Sequence, residues 1–187
     1  MIAGIIVGGA SRRMGGRPKG LLPAPEGGVT LLERLARLCE AAGLRPVLVG
    51  RNAAVEAALP ELERIEDRPA GVGPLGGLAG LLHAAGAASV VTLACDLPAV
   101  EGRLLERLLA ASPGAPILAP RAADGRWQPF FARWDARCAL PWIEEALARG
   151  ERSLQPLLDR HGCALELDEA AWRSLRDWDT PEDVAAG

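Results

Sequence analysis

Apolar residues fill Ile2 to Val7 around a single glycine, and Gly8-Gly9 ends the run. A short apolar run bounded by glycine reads as a buried strand closing in a tight turn. From Leu31 to Ala42 the period changes. Leu31, Leu32, Leu35 and Leu38 recur at helical spacing, and Gly43 closes the segment. Pro46 to Gly50 predicts a second strand, and Asn52 is placed to cap a helix running through Leu59. Glu63 to Glu66 predicts a short strand, Leu75 to Ala85 a helix despite its glycines, and Ser89 to Ala94 a central strand. Glu101 to Ala110 reads as a helix and Ala115 to Ala119 as a strand. The last third changes texture: Trp127 to Trp134 predicts a strand, Pro141 to Ala148 and Ser153 to His161 helices, and Cys163 to Leu167 a late strand.

Strands alternating with helices imply right-handed βαβ units, hence an α/β fold with a mainly parallel sheet flanked by helices. Chemistry is then expected at the carboxyl ends of the strands. A length of 187 residues fits one domain. No linker or low-complexity tract divides it, so the expectation is a single unit, 1–187, with parts of about 1–120 and 121–187.

Composition narrows the classes. Basic and acidic residues number 21 and 24, a net charge of −3, which argues against a nucleic-acid-coating surface. Two histidines and no tyrosine exclude a His-rich metal cage and a tyrosine-based mechanism. Cys39, Cys95, Cys138 and Cys163 have no CxxC spacing, so buried thiols are expected rather than a disulfide frame or zinc site. Residues 69–95 lack Asp, Glu, Lys and Arg, but prolines and a run of glycines make them a buried loop, helix and strand rather than a membrane span. No export signal precedes the first strand, which predicts a cytoplasmic protein.

Four places concentrate chemistry. The first is Gly8-Gly9-Ala10-Ser11-Arg12-Arg13-Met14-Gly15-Gly16-Arg17-Pro18-Lys19, directly after a predicted strand. Glycines let backbone N–H groups approach an anion, and Arg13 and Lys19 can neutralise phosphate oxygens. A solvated basic loop with an exposed Lys19 is the competing reading. The order of residues is neither a P-loop nor the dinucleotide fingerprint. The second is Asp96, at the end of the central strand and before Leu97-Pro98, where a carboxylate can hold Mg²⁺ or simply shape a turn. The third is Asp67 with Gly73-Pro74-Leu75-Gly76-Gly77, a loop entering a helix N-terminus, suited to backbone contacts with a ligand or to a simple turn with tight helix packing. The fourth is Asp177-Trp178-Asp179-Thr180-Pro181-Glu182-Asp183. A Thr-capped helix explains its second half but not Asp177 and Asp179.

These segments, in this order and with Trp127-Gln128-Pro129-Phe130-Phe131-Ala132-Arg133-Trp134 between the third and fourth, resemble the molybdenum cofactor guanylyltransferases over about residues 2 to 185. The resemblance implies a single-domain, three-layer Rossmann-like nucleotidyltransferase fold. It implies nucleotide contacts at Ile6, Val7, Gly8 and Gly9, and at Asp67. Lys19 and Arg13 fall on the phosphate-binding positions, and Asp96 on the Mg²⁺- and nucleotide-binding one. Three positions depart from the pattern. Gly50 replaces an asparagine, which loses a base or ribose contact or moves it to Asn52. Pro18 replaces an acidic residue, as in the sugar nucleotidyltransferases. Asp177 and Asp179 replace asparagines, as in the cytidylyltransferases of the same pathway.

The implied activity is transfer of GMP from Mg·GTP to the terminal phosphate of molybdenum-loaded molybdopterin, with release of pyrophosphate. Asp179, or failing that Asp177, would join Asp96 at the metal, and the uncharged Trp127 to Phe130 stretch would line the acceptor side. Transient contact with molybdoenzyme maturation proteins is a further expectation, with no nucleic-acid or membrane partner. The rivals are a cytidylyl- or sugar-1-phosphate nucleotidyltransferase on the same sheet, and a non-catalytic nucleotide-binding chaperone for the cofactor.

Overall fold

The computed structural model describes residues 1–7 and 18–178. Seven strands form one sheet: β1 (Ile2–Ile6), β2 (Arg45–Val49), β3 (Arg64–Ile65), β4 (Ser89–Ala94), β5 (Ile117–Pro120), β6 (Phe131–Asp135) and β7 (Cys163–Leu165). Their order across the sheet is β3-β2-β1-β4-β6-β5-β7. Neighbours are parallel except around β6, which runs against both β4 and β5.

Side chains alternate along each strand and supply two cores. Ala3, Ile5, Leu48, Val91 and Leu93 face α1 (Leu31–Ala41), α2 (Ala53–Ala58) and α4 (Gly102–Ala110). Val47, Val49, Val90, Ala132 and Trp134 face α3 (Pro74–Ala85), α5 (Ala136–Ala148) and α6 (Gln155–His161). Local chemistry starts the helices where they start. Thr30 and Glu33 form a reciprocal capping box on α1. Asn52 accepts from the Val55 N–H, so its carbonyl oxygen is committed to capping α2. Gly50, where an asparagine is usual, has φ of +95°, a conformation that favours glycine.

Several sequence expectations shift. The strand read from Trp127 begins only at Phe131, because Pro129 offers no N–H to a ladder. Helix α5 starts five residues before Pro141, which lies inside it. Asp135 caps that helix by accepting from Arg137 N–H, and buried Ala136, Ala139, Ile143 and Ala146 hold it down despite the proline. A helix absent from the sequence reading, α7 (Glu169–Ser174), is capped by Asp168. Of the four cysteines only Cys39 is fully buried, and Cys163 on strand β7 near the sheet edge is exposed; all four are free thiols. In the charge-free stretch, helix α3 and strand β4 are largely buried but the loop of residues 69–73 is mostly exposed. No described helix is long and apolar enough to cross a membrane.

Arg133 is a buried charge whose role the sequence conceals. It sits on β6 at 5% exposure and donates to the carbonyls of Leu108 (3.0 Å), Leu109 (2.7 Å) and Ser112 (2.5 Å). Those carbonyls lie at or just past the end of α4, where a cation also favours the helix dipole. Burial lowers the guanidinium pKa from its ordinary value.

Candidate active site

The carboxyl ends of β1, β4, β2 and β3 come together at one edge. Ile6 ends β1, and Val7 continues the line by donating its N–H to Val49 O at 3.0 Å. Gly8, Gly9 and Arg13, which the sequence assigns to nucleotide and phosphate, lie outside the described residues. From Pro18 the chain turns through a 3₁₀ segment, Lys19–Leu21.

That turn brings Lys19 onto Asp96, which follows β4. The Lys19 ammonium lies 2.8 Å from a carboxylate oxygen of Asp96, and their side chains are only 16% and 14% exposed. Lys19 is thus not the exposed loop residue expected from sequence. Gly20 eases the approach, since a Cβ there would sit 3.3 Å from the Cβ of Cys95, tighter than ordinary contact. Burial is the main cause pushing the Cys95 thiol up to about 12, with the Asp96 charge next.

The C-terminal segment reaches the same place. Trp178 donates its backbone N–H to Asp96 O at 3.2 Å, and its ring is buried with Leu22, Ala24 and Leu31. Asp177 lines a cleft of about 460 Å³ beside it, together with Arg34, Arg173 and Arg176. Asp179, expected next to Asp96, lies outside the described residues.

Asp67 follows β3, three strand spacings from β4, about 14 Å at ~4.8 Å per spacing. It packs against the start of α3. A Cβ on Gly77 would lie 3.3 Å from Oδ1 of Asp67, and one on Gly80 would clash with Glu66 O at 2.2 Å. Arg68 donates its N–H to Gly76 O at 2.8 Å, fixing the strand exit to the helix. Burial, then the neighbouring Glu66 charge, raises the Asp67 pKa. The glycines read from sequence as a ligand-binding helix start are therefore also what lets β3 and α3 touch.

Beyond β4 the edge continues with residues 127–130. Phe130 O accepts from Ala94 N–H at 2.8 Å, which sets this stretch beside Cys95 and Asp96. Thr92, buried in β4, donates its hydroxyl to Pro129 O at 2.6 Å and accepts from the Trp134 indole at 2.9 Å. Sequence reasoning passed over Thr92. Its only signal was a hydroxyl inside the run Val90-Val91-Thr92-Leu93.

Along this edge stand Asp67 and, three strand spacings away, Asp96 with the Lys19 ammonium paired to it, a set of charges suited to a phosphate-bearing ligand with a divalent cation. Among the described residues no three His, Cys, Asp or Glu side chains converge to hold a metal. One largely buried hard-oxygen ligand beside substrate phosphates is nonetheless the donor set that suits Mg²⁺ in phosphoryl chemistry, so the residues present fit that ion.

Known proteins share this fold. The MobA-like NTP transferase domain model matches residues 3–165. The chain is 36% identical to a probable molybdenum cofactor guanylyltransferase of Opitutus terrae over 96% of its length and 90% of the relative's. It is 37% identical to a molybdenum cofactor guanylyltransferase of Pseudomonas putida, over 95% of this chain and 92% of the relative's. The crystal structure of molybdopterin-guanine dinucleotide biosynthesis protein A from Archaeoglobus fulgidus superposes with a TM-score of 0.79 at 25% identity, covering 100% of this chain and 96% of that one. With 95% or more of its length matched to these two curated relatives, the chain belongs to the molybdenum cofactor guanylyltransferases of the MobA-like nucleotidyltransferase family.

Proposed function

We propose that the protein transfers GMP from GTP to the terminal phosphate of molybdenum-loaded molybdopterin. The observation that carries this reading is the Lys19–Asp96 pair at the carboxyl end of β4. In one domain, residues 1–120 serve the nucleotide and 121–187 the acceptor. An acceptor phosphate oxygen attacks the α-phosphorus of GTP, a new P–O bond forms, and the bond to the β-phosphate oxygen breaks to release pyrophosphate. The attacking oxygen is already anionic, so no strong general base is needed, and catalysis is positioning and charge neutralisation.

Lys19 exchanges Asp96 for phosphate oxygens when the nucleotide binds, and with Arg13 it stabilises the charge that builds on the leaving pyrophosphate. Asp96, freed from Lys19, together with the triphosphate oxygens would hold Mg²⁺, which when bound supplies charge neutralisation at the reacting phosphates. Ile6, Val7, Gly8, Gly9 and Asp67 grip the nucleotide. Guanine presents a donor edge that a carboxylate or backbone carbonyl accepts.

The test is pyrophosphate release with GTP, CTP, ATP and UTP in the presence of molybdenum-loaded molybdopterin. GTP should be preferred over CTP by at least about tenfold, because a polar site left unpaired rejects the wrong base. Equal use of GTP and CTP would overturn the guanylyl assignment and leave the fold untouched.

A further inference from the structure

Residues 127–130 border Asp96 outside the seven strands; an antiparallel bridge from Trp127 to Arg121 ties them to the end of β5, and their other backbone groups need partners from elsewhere. Gln155, the first residue of α6, supplies two. Its side-chain oxygen accepts from Trp127 N–H at 2.9 Å, and its amide nitrogen donates to Trp127 O at 2.9 Å. One primary amide thus imitates a neighbouring strand. The Trp127 indole N–H donates to Asp159 one helical turn on, also at 2.9 Å. Arg121 lies 5.0 Å over the Trp127 ring and reaches the same carboxylate oxygen at 3.3 Å. Further along, Gln128 N–H donates to Pro120 O, and Pro129 O and Phe130 O are held from β4.

Besides the bridge to the end of β5, two anchors hold the stretch, and they are of different kinds. The β4 anchor at Pro129 and Phe130 belongs to the strand that ends in Asp96. The Gln155 anchor belongs to α6, which Leu154, Leu157 and Leu158 fix in the core on one face of the sheet. With both ends held, the rim has one height relative to Asp96. With Gln155 removed, Trp127 loses the partners of its backbone N–H and carbonyl and keeps the bridge to Arg121, while the near end stays in place.

We propose that Gln155 is a positioning residue for the acceptor. It sets the rim of residues 127–130 against Asp96 and so orients the phosphate-bearing substrate for attack, without acting on the nucleotide. This rests on the function proposed above, with the acceptor on the β6 side of Asp96. Gln155 touches no reacting atom. Its effect passes through the Trp127 backbone.

The experiment compares wild type with Gln155→Met, which keeps the length and loses both hydrogen bonds, and with Gln155→Glu, which keeps an acceptor but sets a carboxylate oxygen against Trp127 O. Steady-state constants for GTP and for molybdenum-loaded molybdopterin are measured separately, alongside GTP binding and thermal melting. Both variants should lower kcat/KM for the acceptor by about tenfold or more, since sub-ångström misplacement of a reactant is costly. GTP affinity should stay within about twofold, because Gln155, Trp127 and Asp159 all lie outside residues 1–120. Asp159→Asn, which keeps an oxygen for the indole, should remain near wild type and report whether this surface tolerates substitution. Unchanged acceptor constants in a folded variant would overturn the proposal, as would equal losses for GTP and acceptor. Absence of turnover in the wild type would instead overturn the assigned function itself.

Discussion

Replacing Lys19 by alanine separates the observed pairing with Asp96 from the phosphate contact proposed above. In the free protein the pair is 2.8 Å apart and mostly covered. At an effective dielectric constant of about 20, two charges at that distance attract by roughly 6 kcal/mol. Desolvation of both groups cancels most of this, and breaking a fully buried pair typically costs about 3–5 kcal/mol. Because both side chains keep some water contact, a loss of about 1–3 kcal/mol is expected for Lys19→Ala, from a carboxylate left without its counter-ion. Asp96→Asn removes that need. In the double variant the two losses should sum to more than the measured loss, by about 1–2 kcal/mol. Urea unfolding of the four proteins measures this coupling. Turnover follows a different rule. Loss of one preorganised donor costs about 10²–10³ in kcat, and asparagine at position 96 cannot restore an ammonium. Pyrophosphate release should therefore stay at least about 10²-fold down in the double variant even as stability recovers. Near-wild-type turnover in Lys19→Ala would remove this residue from the chemistry. Strict additivity of the stabilities would show that the observed pair contributes nothing to folding.

Other outcomes follow from the packing. Arg133→Met should destabilise by about 2–4 kcal/mol, because three carbonyls at the end of α4 lose their donors, and Arg133→Lys should recover only part for want of a fork. The raised Asp67 pKa means the folded state holds that proton more tightly than the unfolded chain, whose value lies near 3.8. That contribution is fully present below pH 3.8 and is lost as pH rises through the folded value. Asp67→Asn should accordingly melt higher than wild type at pH 7, lose that advantage in acid, and bind GTP more weakly. Alkylation at pH 8 should reach exposed Cys163 and spare Cys39 and Cys95, whose thiols burial pushes up to about 12; peptide mass mapping reads the order.

The elements most legible in the sequence were those whose ends carry local chemistry. Strand β4 has the predicted bounds, since a buried apolar run stops at a turn closed by Pro98. The cap at Asn52 behaves as its residue type suggests. Pro141 misled because proline favours a first helical turn, while here the tertiary packing of α5 overrides it. The rim at 127–130 has the composition of a strand and fails to be one at Pro129 alone. In the candidate site, the resemblance singled out Lys19 and Asp96 separately. Their contact across 77 residues is a product of the β1–β4 pairing, which no local pattern records. Gln155 and Arg133 were illegible for the same reason. An amide at a helix start and a charge in an alternating strand look like solvent-facing residues until the partner carbonyls are known.

The reversed direction of β6 bears on how such a chain can diversify. Parallel strands deliver loops to the reactive edge as they leave the sheet, and each loop must then lead into a helix that packs below. The turn before β6 is free of that duty. It arrives at the edge from outside and enters a register, Leu93 against Phe131, fixed by residues that come after it. Doubling the length of such a turn adds only about 0.6 kcal/mol of closure cost. Insertions near residues 122–126 can reshape the edge beside Asp96 while the Lys19–Asp96 pair keeps its geometry, so under the function proposed above the acceptor wall and the phosphate chemistry are inherited through different parts of the chain.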